Sequence, residues 1–332
     1  MGQATLPAAL EPRHRPLLDF EELMRSHRRE LLVHCYRMLG SWTDAEDCVQ
    51  EVALRAWRGR ARFEGRSSAR SWLYRIATNT CLTARRSRAR RSLPEIEVEL
   101  AGANEPIEEA RWIEPMPDDA EAVASARQEV SLAFLIALQH LAPRQRAALL
   151  LRDVVGYEAA EVADILGTTT AAVHSALARA RGRMDGLRDD GAGVARPNRR
   201  QEGILKRYVE AWEKGDVKAL VALFSRDAIV SMPPLAAWYR GRAAIARWLA
   251  EQPLSGGHTF RFFPTRANGQ IAFAIYMAGD PCLPGERANE TFAPHAVQLV
   301  WLDGDRIARV VSFLNHRLVR AFGFGPLPPR KK

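Results

Sequence analysis

Arginine side chains and aromatic rings are interleaved along one stretch of this 332-residue sequence, and both groups are suited to binding nucleic acid. Between Arg55 and Arg91 there are twelve arginines and a single acid, Glu64. Cations neutralise phosphates, and aromatic rings stack on unpaired bases. The formal net charge of the whole chain is +9, which favours a polyanionic partner. That class includes nucleic acid, an anionic membrane surface and an acidic protein, and charge alone does not separate them.

An acidic helix is predicted at the start of this arginine-rich stretch. Residues 43–46, T-D-A-E, have the pattern of a capping box, in which the Thr43 hydroxyl and the Glu46 carboxylate satisfy free amides at a helix start. Small and apolar residues recur at helical spacing from Ala45 to Ala56 and predict one buried face. The polar side chains on the other faces are Asp44, Glu46, Asp47, Gln50 and Glu51.

A helix-turn-helix pattern is predicted further along the chain. Two short helices, at about Ala159–Leu166 and Thr170–Met184, are joined by a Gly-Thr-Thr turn at 167–169. Apolar residues such as Val162 and Leu177 are spaced to pack between the two helices. A glycine-containing turn sets two such helices steeply across each other.

Charge and proline content divide the chain into three segments. The charge balance inverts between Glu95 and Glu121, where ten acids accompany the single base Arg111, so this proline-containing stretch reads as a linker. The predicted organisation is a disordered lead-in (1–16), a helical segment (17–91), an acidic linker (92–121), a second helical segment with the helix-turn-helix (122–188), a short linker (189–200), a third segment (201–325) and a basic tail (326–332).

The third segment combines helices and strands. An Asp-Gly-Asp turn at 303–305 lies between two apolar alternating runs and predicts a hairpin. Helices followed by a run of antiparallel strands indicate an α+β cone or half-barrel. The predicted helices are 203–214, 217–224 and 242–251, and the predicted strands are 228–232, 258–264, 270–278, 296–302 and 306–315.

The cysteines and the apolar runs exclude several classes of protein. Cys35, Cys48, Cys81 and Cys282 form no CxxC pair, so we expect reduced core thiols rather than a disulfide framework or a metal site. No apolar run approaches the ~20 residues that span a bilayer, and the N-terminal residues lack a secretion signal. We therefore expect a cytoplasmic protein with no membrane insertion and no cofactor.

The two helical segments resemble a known family over about half of the chain. The resemblance rests on DAEDCVQEVALRAW (44–57), SARSWLYRIATNTCLTARR (68–86) and LAPRQRAALLLRDVVGYEAAEVADILGTTTAAVHSALARAR (141–181). In this order and spacing they are similar to regions 2 and 4 of the extracytoplasmic-function (ECF) sigma-70 family of RNA polymerase sigma factors. The third segment, through residues 208–251 and 264–277, resembles the SnoaL-like domain of the NTF2-like superfamily that is fused to a subset of these factors. The linker sequence WIEPMPD (112–118) also occurs in that subset.

The resemblance implies a fold, partners and site residues. The expected fold is multidomain, with two all-α sigma domains (the region 2 helical bundle and the region 4 helix-turn-helix) followed by an α+β SnoaL/NTF2-like cone. The expected partners are core RNA polymerase, through its β′ and β subunits, and promoter DNA. The acidic face, Asp44, Glu46, Asp47, Gln50 and Glu51, would dock on the clamp helices of β′. The −10 element would meet Arg60, Arg62, Phe63, Arg66, Arg70, Tyr74, Arg75, Asn79, Arg85 and Arg86, whereas Trp72 is assigned to the core.

The second helix of the helix-turn-helix would lie in the major groove of the −35 element. It departs from the family pattern because alanines occupy early positions where the family often has basic residues, so direct base readout is expected to be thin. The polar residues able to reach DNA are Thr169, Thr170, His174, Ser175, Arg179, Arg181 and Arg183.

The role of the C-terminal cone stays open among three hypotheses. The preferred hypothesis is a regulatory domain rather than an enzyme. Such a domain would restrain the sigma regions as a separate anti-sigma protein does, and would respond to a small-molecule ligand or partner. The rivals are a bifunctional sigma factor with a cyclase- or isomerase-like domain, and a DNA-binding regulator that never engages polymerase. We expect no catalytic residue, although His295 and His316 are further titratable candidates. The pocket candidates are Asp227, Trp238, Tyr239, His258 and Arg261.

Overall fold

The structure is a computed structural model that describes residues 20–65, 67–90, 113–118, 132–185, 197–233, 235, 237–255, 257–278 and 292–329. The side chains of residues 85–90 and 133 are outside this description. The predicted lead-in 1–16, most of both linkers, and Arg66 and Cys282 also lie outside the described residues. The chain divides into two units. Unit 1 comprises Met1–Leu39, Asp44–Ala89 and Ala142–Arg181, and unit 2 comprises Gly40–Thr43, Arg90–Leu141 and Gly182–Lys332.

The first part of the chain is helical, as its periodicity predicts. In chain order the elements are α1 (Phe20–Leu39), α2 (Trp42–Gly59), a 3₁₀ turn (Arg60–Arg62), α3 (Ala69–Arg90), α4 (Leu132–Gln139), α5 (Pro143–Leu149), a π-helical turn (Leu150–Val155), α6 (Ala159–Leu166) and α7 (Thr170–Asp185). Among the described residues, no helix is both long and apolar enough to cross a bilayer.

Unit 1 contains the helix-turn-helix in the predicted place. Gly167 ends α6 with a φ of 60°, a left-handed conformation that glycine adopts without a steric penalty. The Thr169 hydroxyl oxygen then accepts a hydrogen bond from the Ala172 amide at 3.2 Å, which satisfies a free amide at the start of α7. Val162, Val173 and Leu177 are buried, as the spacing predicts.

Unit 2 is built around a mixed sheet. After α8 (Arg199–Glu213) and α9 (Val217–Leu223), the strands are β1 (Phe224–Ser231), β2 (Trp238–Arg240), β3 (Thr259–Ala267), β4 (Gln270–Ala278), β5 (Ala293–Asp303) and β6 (Arg306–Phe313), with α10 (Arg242–Glu251) between β2 and β3 and α11 (His316–Ala321) at the end. Among the described residues the strand order is β2-β1-β6-β5-β4-β3. All neighbours pair antiparallel except β1 and β6, which pair parallel.

Aromatic side chains fill the space between this sheet and its helices. Tyr208 of α8 is fully buried and meets the rings of Phe224, Phe262 and Phe273 at centroid distances between 6.2 and 6.4 Å. Trp212, one helical turn further along α8, packs on Phe262 at 5.6 Å. Large aromatic rings bury 150–250 Å² each, so these contacts account for much of the cohesion of the cone.

Candidate nucleic-acid interface

The outer face of α2 carries acids and exposed apolar groups together. Asp47 and Gln50 are exposed, and Glu51 accepts a hydrogen bond from Arg55 at 2.6 Å. Leu54 is 51% exposed and lies on the same face, since positions 47, 50, 51 and 54 follow helical spacing. Asp44 and Glu46 are half-buried. An exposed leucine beside charged groups is what a docking surface with a small apolar centre requires.

The end of α2 leads into a cluster of cations and rings. Trp57 is 48% exposed, and the Arg60 guanidinium lies over its ring at 3.3 Å. Phe63 packs on Trp72 with ring centroids 5.0 Å apart. Trp72 is half-buried. Arg62 is exposed.

Two residues predicted to bind the −10 element are already engaged within unit 1. Arg70 donates two hydrogen bonds to the same Glu30 oxygen, at 3.0 and 2.8 Å, and Tyr74 donates to that oxygen at 3.3 Å. Burial acts to raise the pKa of Glu30, but hydrogen bonds from Arg70 and His27 outweigh it and hold the pKa below its usual value. Burial also raises the pKa of Tyr74.

Tyr157, which follows the π-helical turn, lies against the same pair. Its ring meets the Tyr74 ring edge-on at 5.5 Å, and the Arg70 guanidinium lies 5.4 Å from its centroid. A second contact joins the two helical segments, because the fully buried Arg146 of α5 donates to the Met38 carbonyl at 2.6 Å. Within unit 1, residues of the second helical segment therefore cover part of the predicted −10 surface.

The remaining predicted −10 residues lie on α3. Arg75 and Asn79 are exposed, one helical turn apart. The side chains of Arg85 and Arg86 lie outside the described residues, as does Arg66. The described part of α3 therefore presents one exposed cation and one exposed amide from the predicted set.

The second helix of the helix-turn-helix presents a polar face. Thr169, Thr170, His174, Ser175 and Arg179 are all exposed. Two of the predicted arginines have partners: Arg181 forms a bidentate pair with Asp153 at 2.6 and 3.0 Å, and Arg183 donates to the His140 carbonyl at 3.0 Å. Hydrogen bonds and charge from Asp153 raise the pKa of Arg181. For Arg179, in contrast to Arg181 and Arg183, the structure describes neither an ion pair nor a hydrogen bond of the side chain.

The predicted pocket residues of the cone are spread across the sheet from one edge to the other. Trp238 and Tyr239 are buried on β2, whereas Arg261 is exposed on β3 and stacks on Phe292 at 4.1 Å. Asp227 is exposed on β1. The other positions are a half-buried His258 before β3, a half-buried His295 on β5 and an exposed His316 at the start of α11.

A buried polar chain, which sequence reasoning did not single out, crosses the interior of the cone. The Tyr208 hydroxyl donates to the Gln298 side-chain oxygen at 2.7 Å, and the Gln298 amide donates to the Ser312 hydroxyl at 2.7 Å. All three residues are buried. Burial raises the pKa of Tyr208, although its hydrogen bonds act in the opposite direction. Polar side chains at inward positions of apolar strands are the sequence signal for this chain.

The linker segment 113–118 is bound within unit 2. Asn268 and Met116 exchange hydrogen bonds at 2.8 and 3.0 Å, and the Asp118 carboxylate accepts from the Gly269 amide at 2.9 Å. Asn268 and Gly269 both have positive φ, 51° and 76°, which is the geometry of a two-residue hairpin turn. The turn between β3 and β4 therefore holds one end of the segment.

Glu114 in the same segment bridges two helix starts. One carboxylate oxygen accepts from the Ser41 hydroxyl at 2.9 Å, the Thr43 amide at 2.9 Å and the Thr43 hydroxyl at 2.7 Å. The other oxygen accepts from the Asn315 side-chain amide at 3.1 Å. Asn315 caps α11, and Thr43 lies in the first turn of α2. One carboxylate thus joins the start of the predicted docking helix to the end of the cone.

Family models and known proteins match this arrangement. The Sigma-70 region 2 model matches residues 23–91, the Sigma-70 region 4 model matches 131–184, and the SnoaL-like domain model matches 205–310. The ECF RNA polymerase sigma factor SigG of Mycobacterium tuberculosis is 43% identical over 318 residues, which cover 92% of this chain and 84% of SigG. SigJ of the same organism is 28% identical over 307 residues, covering 86% and 88%.

A solved structure matches almost the whole chain. The crystal structure of the M. tuberculosis ECF sigma factor SigJ aligns with a TM-score of 0.53 at 21% identity and covers 91% of this chain and 99% of that one. Together with the family models, this match confirms the predicted resemblance and the predicted fold class.

Proposed function

This chain belongs to the ECF RNA polymerase sigma factors, and we propose that its SnoaL-like domain regulates how it engages polymerase and promoter. Sigma factors bind core RNA polymerase and direct it to promoter DNA, which is the function of regions 2 and 4. The added domain belongs to a fold that hosts many unrelated activities. Its role therefore has to be argued from the contacts that it makes.

The bridge through Glu114 carries the proposal. Its carboxylate binds Ser41 and Thr43 with one oxygen and Asn315 with the other. Any movement of the SnoaL-like domain that displaces Asn315 or the linker segment thus acts on the first turn of α2. That helix carries the acidic face proposed to dock on polymerase, so the bridge offers a direct route from the domain to polymerase binding.

Within region 2, the proposed polymerase contacts are the acidic face of α2 and its exposed leucine. Asp47, Gln50, Glu51 and Leu54 form one stripe, and we assign it to the clamp helices of the β′ subunit. Charge at the rim of an interface mainly sets association rate and register, whereas Leu54 supplies apolar area. Pull-down of core polymerase tests this assignment. The double change Asp47→Lys and Glu51→Lys should abolish capture, whereas Glu21→Lys and Glu22→Lys, on exposed acids of α1, should not.

Promoter binding is proposed to compete with a contact inside unit 1. Arg70 and Tyr74 are held by Glu30 and lie against Tyr157, so they reach the −10 element only when that contact opens. In region 4, Thr170, His174 and Ser175 are proposed to meet bases, and Arg179 a phosphate, because phosphate contacts position a helix and base contacts specify the sequence.

Transcription by purified core polymerase with full-length variants tests the regulatory role. Glu114→Ala and Asn315→Ala both break the bridge, so both should change promoter output in the same direction. Removal of residues 201–332 should change promoter output in the same direction as these two variants. Asp118→Ala is the matched control, since it loosens the linker at the β3–β4 turn and leaves Thr43 bound. Output and polymerase affinity identical to wild type in both bridge variants would refute regulation through this contact.

Catalysis by the SnoaL-like domain is the second candidate, and the geometry favours it less. Two of the candidate pocket side chains, Trp238 and Arg261, lie on opposite edge strands, and aromatic rings pack in the interior. The domain is accordingly proposed to be a non-enzymatic module that acts where transcription takes place, in the cytoplasm. Turnover of a cyclase or isomerase substrate that is lost in Asp227→Asn or His258→Ala would reverse this conclusion.

A further inference from the structure

Three cysteines that are far apart in the sequence converge in region 2. Cys35 on α1, Cys48 on α2 and Cys81 on α3 place their sulfur atoms within 4.8 Å of one another. The Cys48 and Cys81 sulfurs are 3.5 Å apart. Cys35 and Cys81 are fully buried and Cys48 is 6% exposed. Among the residues that the structure describes, these three cysteines are the one group of three side chains whose ligand atoms lie close enough together to hold a metal ion.

The spacing of the three sulfurs suits a three-coordinate metal ion. Metal–thiolate bonds are about 2.3 Å long, so three sulfurs in a plane around one ion lie about 4.0 Å apart. That separation falls between the 3.5 Å of the Cys48–Cys81 pair and the 4.8 Å limit of the cluster. The Cys48 and Cys81 sulfurs therefore need to separate by only about 0.5 Å to reach bonding distance from one ion.

The three side chains offer the kind of ligand atom that soft metal ions bind. The thiolate, not the thiol, is the form that binds metal, so an ion bound by this cluster displaces thiol protons. The Cys48 and Cys81 sulfurs already lie at hydrogen-bond distance from each other.

We propose that Cys35, Cys48 and Cys81 form a binding site for a soft monovalent metal ion, Cu(I), coordinated by three sulfurs. Soft thiolate ligands select Cu(I), Zn²⁺ and iron–sulfur clusters. Structural Zn²⁺ requires four ligands, and within the described residues no fourth cysteine, histidine or carboxylate joins the cluster. Cu(I) accepts three sulfur ligands in a plane, so the three cysteines complete its coordination without a fourth group.

Binding involves no change of oxidation state. Cu(I) coordinated by three thiolates displaces the thiol protons of the cluster into solvent, so affinity rises with pH. The bound ion ties α1, α2 and α3 together. Because it binds the folded state, it raises the thermal midpoint of region 2 by mass action.

Anaerobic competition between the reduced full-length protein and a chromogenic Cu(I) chelator of known affinity tests the site. Wild type should retain one Cu(I) per chain and show ultraviolet thiolate-to-copper charge-transfer absorption. Cys48→Ala should weaken binding at least about tenfold, because loss of a group that merely supports a ligand already costs 10- to 100-fold. Cys282→Ala, which keeps Cys35, Cys48 and Cys81, should bind like wild type.

The coordination of copper in the wild-type protein can be measured without any variant. X-ray absorption should show three sulfur neighbours around copper. A nitrogen or oxygen shell would overturn the proposal, as would Cu(I) affinity in folded Cys48→Ala equal to that of wild type, or failure of the wild type to compete with the chelator. Far-ultraviolet circular dichroism establishes that the variant is folded, and Cys81→Ala replaces it if it is not.

Discussion

The bridge through Glu114 predicts a local change that hydrogen exchange can measure. In Glu114→Ala, the Thr43 amide loses its acceptor at 2.9 Å, and the Ser41 and Thr43 hydroxyls lose theirs. Both residues are buried, each 7% exposed. The carboxylate acts on α2 as a capping side chain acts on its own helix, except that it comes from the linker.

The expected size of the effect follows from capping energies. Removal of a side chain that caps a helix costs about 1–2 kcal/mol, and hydrogen bonds to charged groups lie at the upper end of such values. Each 1.4 kcal/mol corresponds to a factor of ten in an equilibrium constant. Opening of the Thr43 amide should therefore increase roughly five- to thirtyfold.

Hydrogen–deuterium exchange with mass spectrometry on full-length protein is the assay. Peptides that contain Thr43 should exchange faster in Glu114→Ala by this factor, whereas peptides from the middle of α3 should be unchanged. Asp118→Ala should leave the Thr43 peptide as in wild type, because its contacts are with Gly269 and Arg266. Wild-type exchange at Thr43 in Glu114→Ala would refute the reading of Glu114 as a cap on α2.

Three further predictions concern pH, region 4 and the contact inside unit 1. Burial, aided by the charge of Arg37, lowers the pKa of His34 to about 3. The unfolded side chain titrates near 6.5, so its contribution to stability is present above that pH and is lost as the pH falls, by about 2 kcal/mol at pH 5. In chemical unfolding, the free energy of unfolding of His34→Gln should fall less between pH 7.5 and 5 than that of the wild type. An equal fall in both proteins would contradict a lowered pKa of His34. Arg179→Ala should weaken promoter binding by a similar factor on different −35 sequences and lower the salt dependence by about one phosphate contact; a change confined to one base position would indicate base readout instead. Tyr157→Ala should tighten binding of a single-stranded −10 oligonucleotide, measured by fluorescence anisotropy, and weaker binding at an unchanged thermal midpoint would show that Tyr157 itself contacts DNA.

Local patterns in the sequence predicted most of the fold. The strand predicted at 270–278 matches β4, and the turn at 303–305 joins β5 to β6 as expected. The short strand β2 and the helix α11 were missed, because three and six residues carry too little periodicity to be recognised. The parallel pairing of β1 with β6 was also missed, since it joins strands separated by most of the domain.

Candidate site residues could be predicted only where the type of side chain itself indicates a binding partner. Arginine and acid content marked the two faces of region 2, but Glu30, Tyr157 and Glu114 act through tertiary neighbours that no spacing rule reveals. Leu54 was within reach, because it is an apolar residue off the predicted buried face of α2. The three cysteines show the same limit, since helix packing rather than a motif brings them together. The domain boundaries and the individual site residues stay predictions.

The two restraints on region 2 act on different helices, and this separation distinguishes their roles. Glu114 binds the start of α2, which carries the proposed polymerase face, whereas Tyr157 lies against Arg70 and Tyr74 of α3, which are proposed to meet the −10 element. Changing Glu114 should consequently alter affinity for core polymerase before any DNA is present. Changing Tyr157 should alter promoter binding at saturating polymerase. If each variant changed both quantities by the same factor, the two contacts would be parts of one cooperative closure, and the SnoaL-like domain would control both through a single equilibrium.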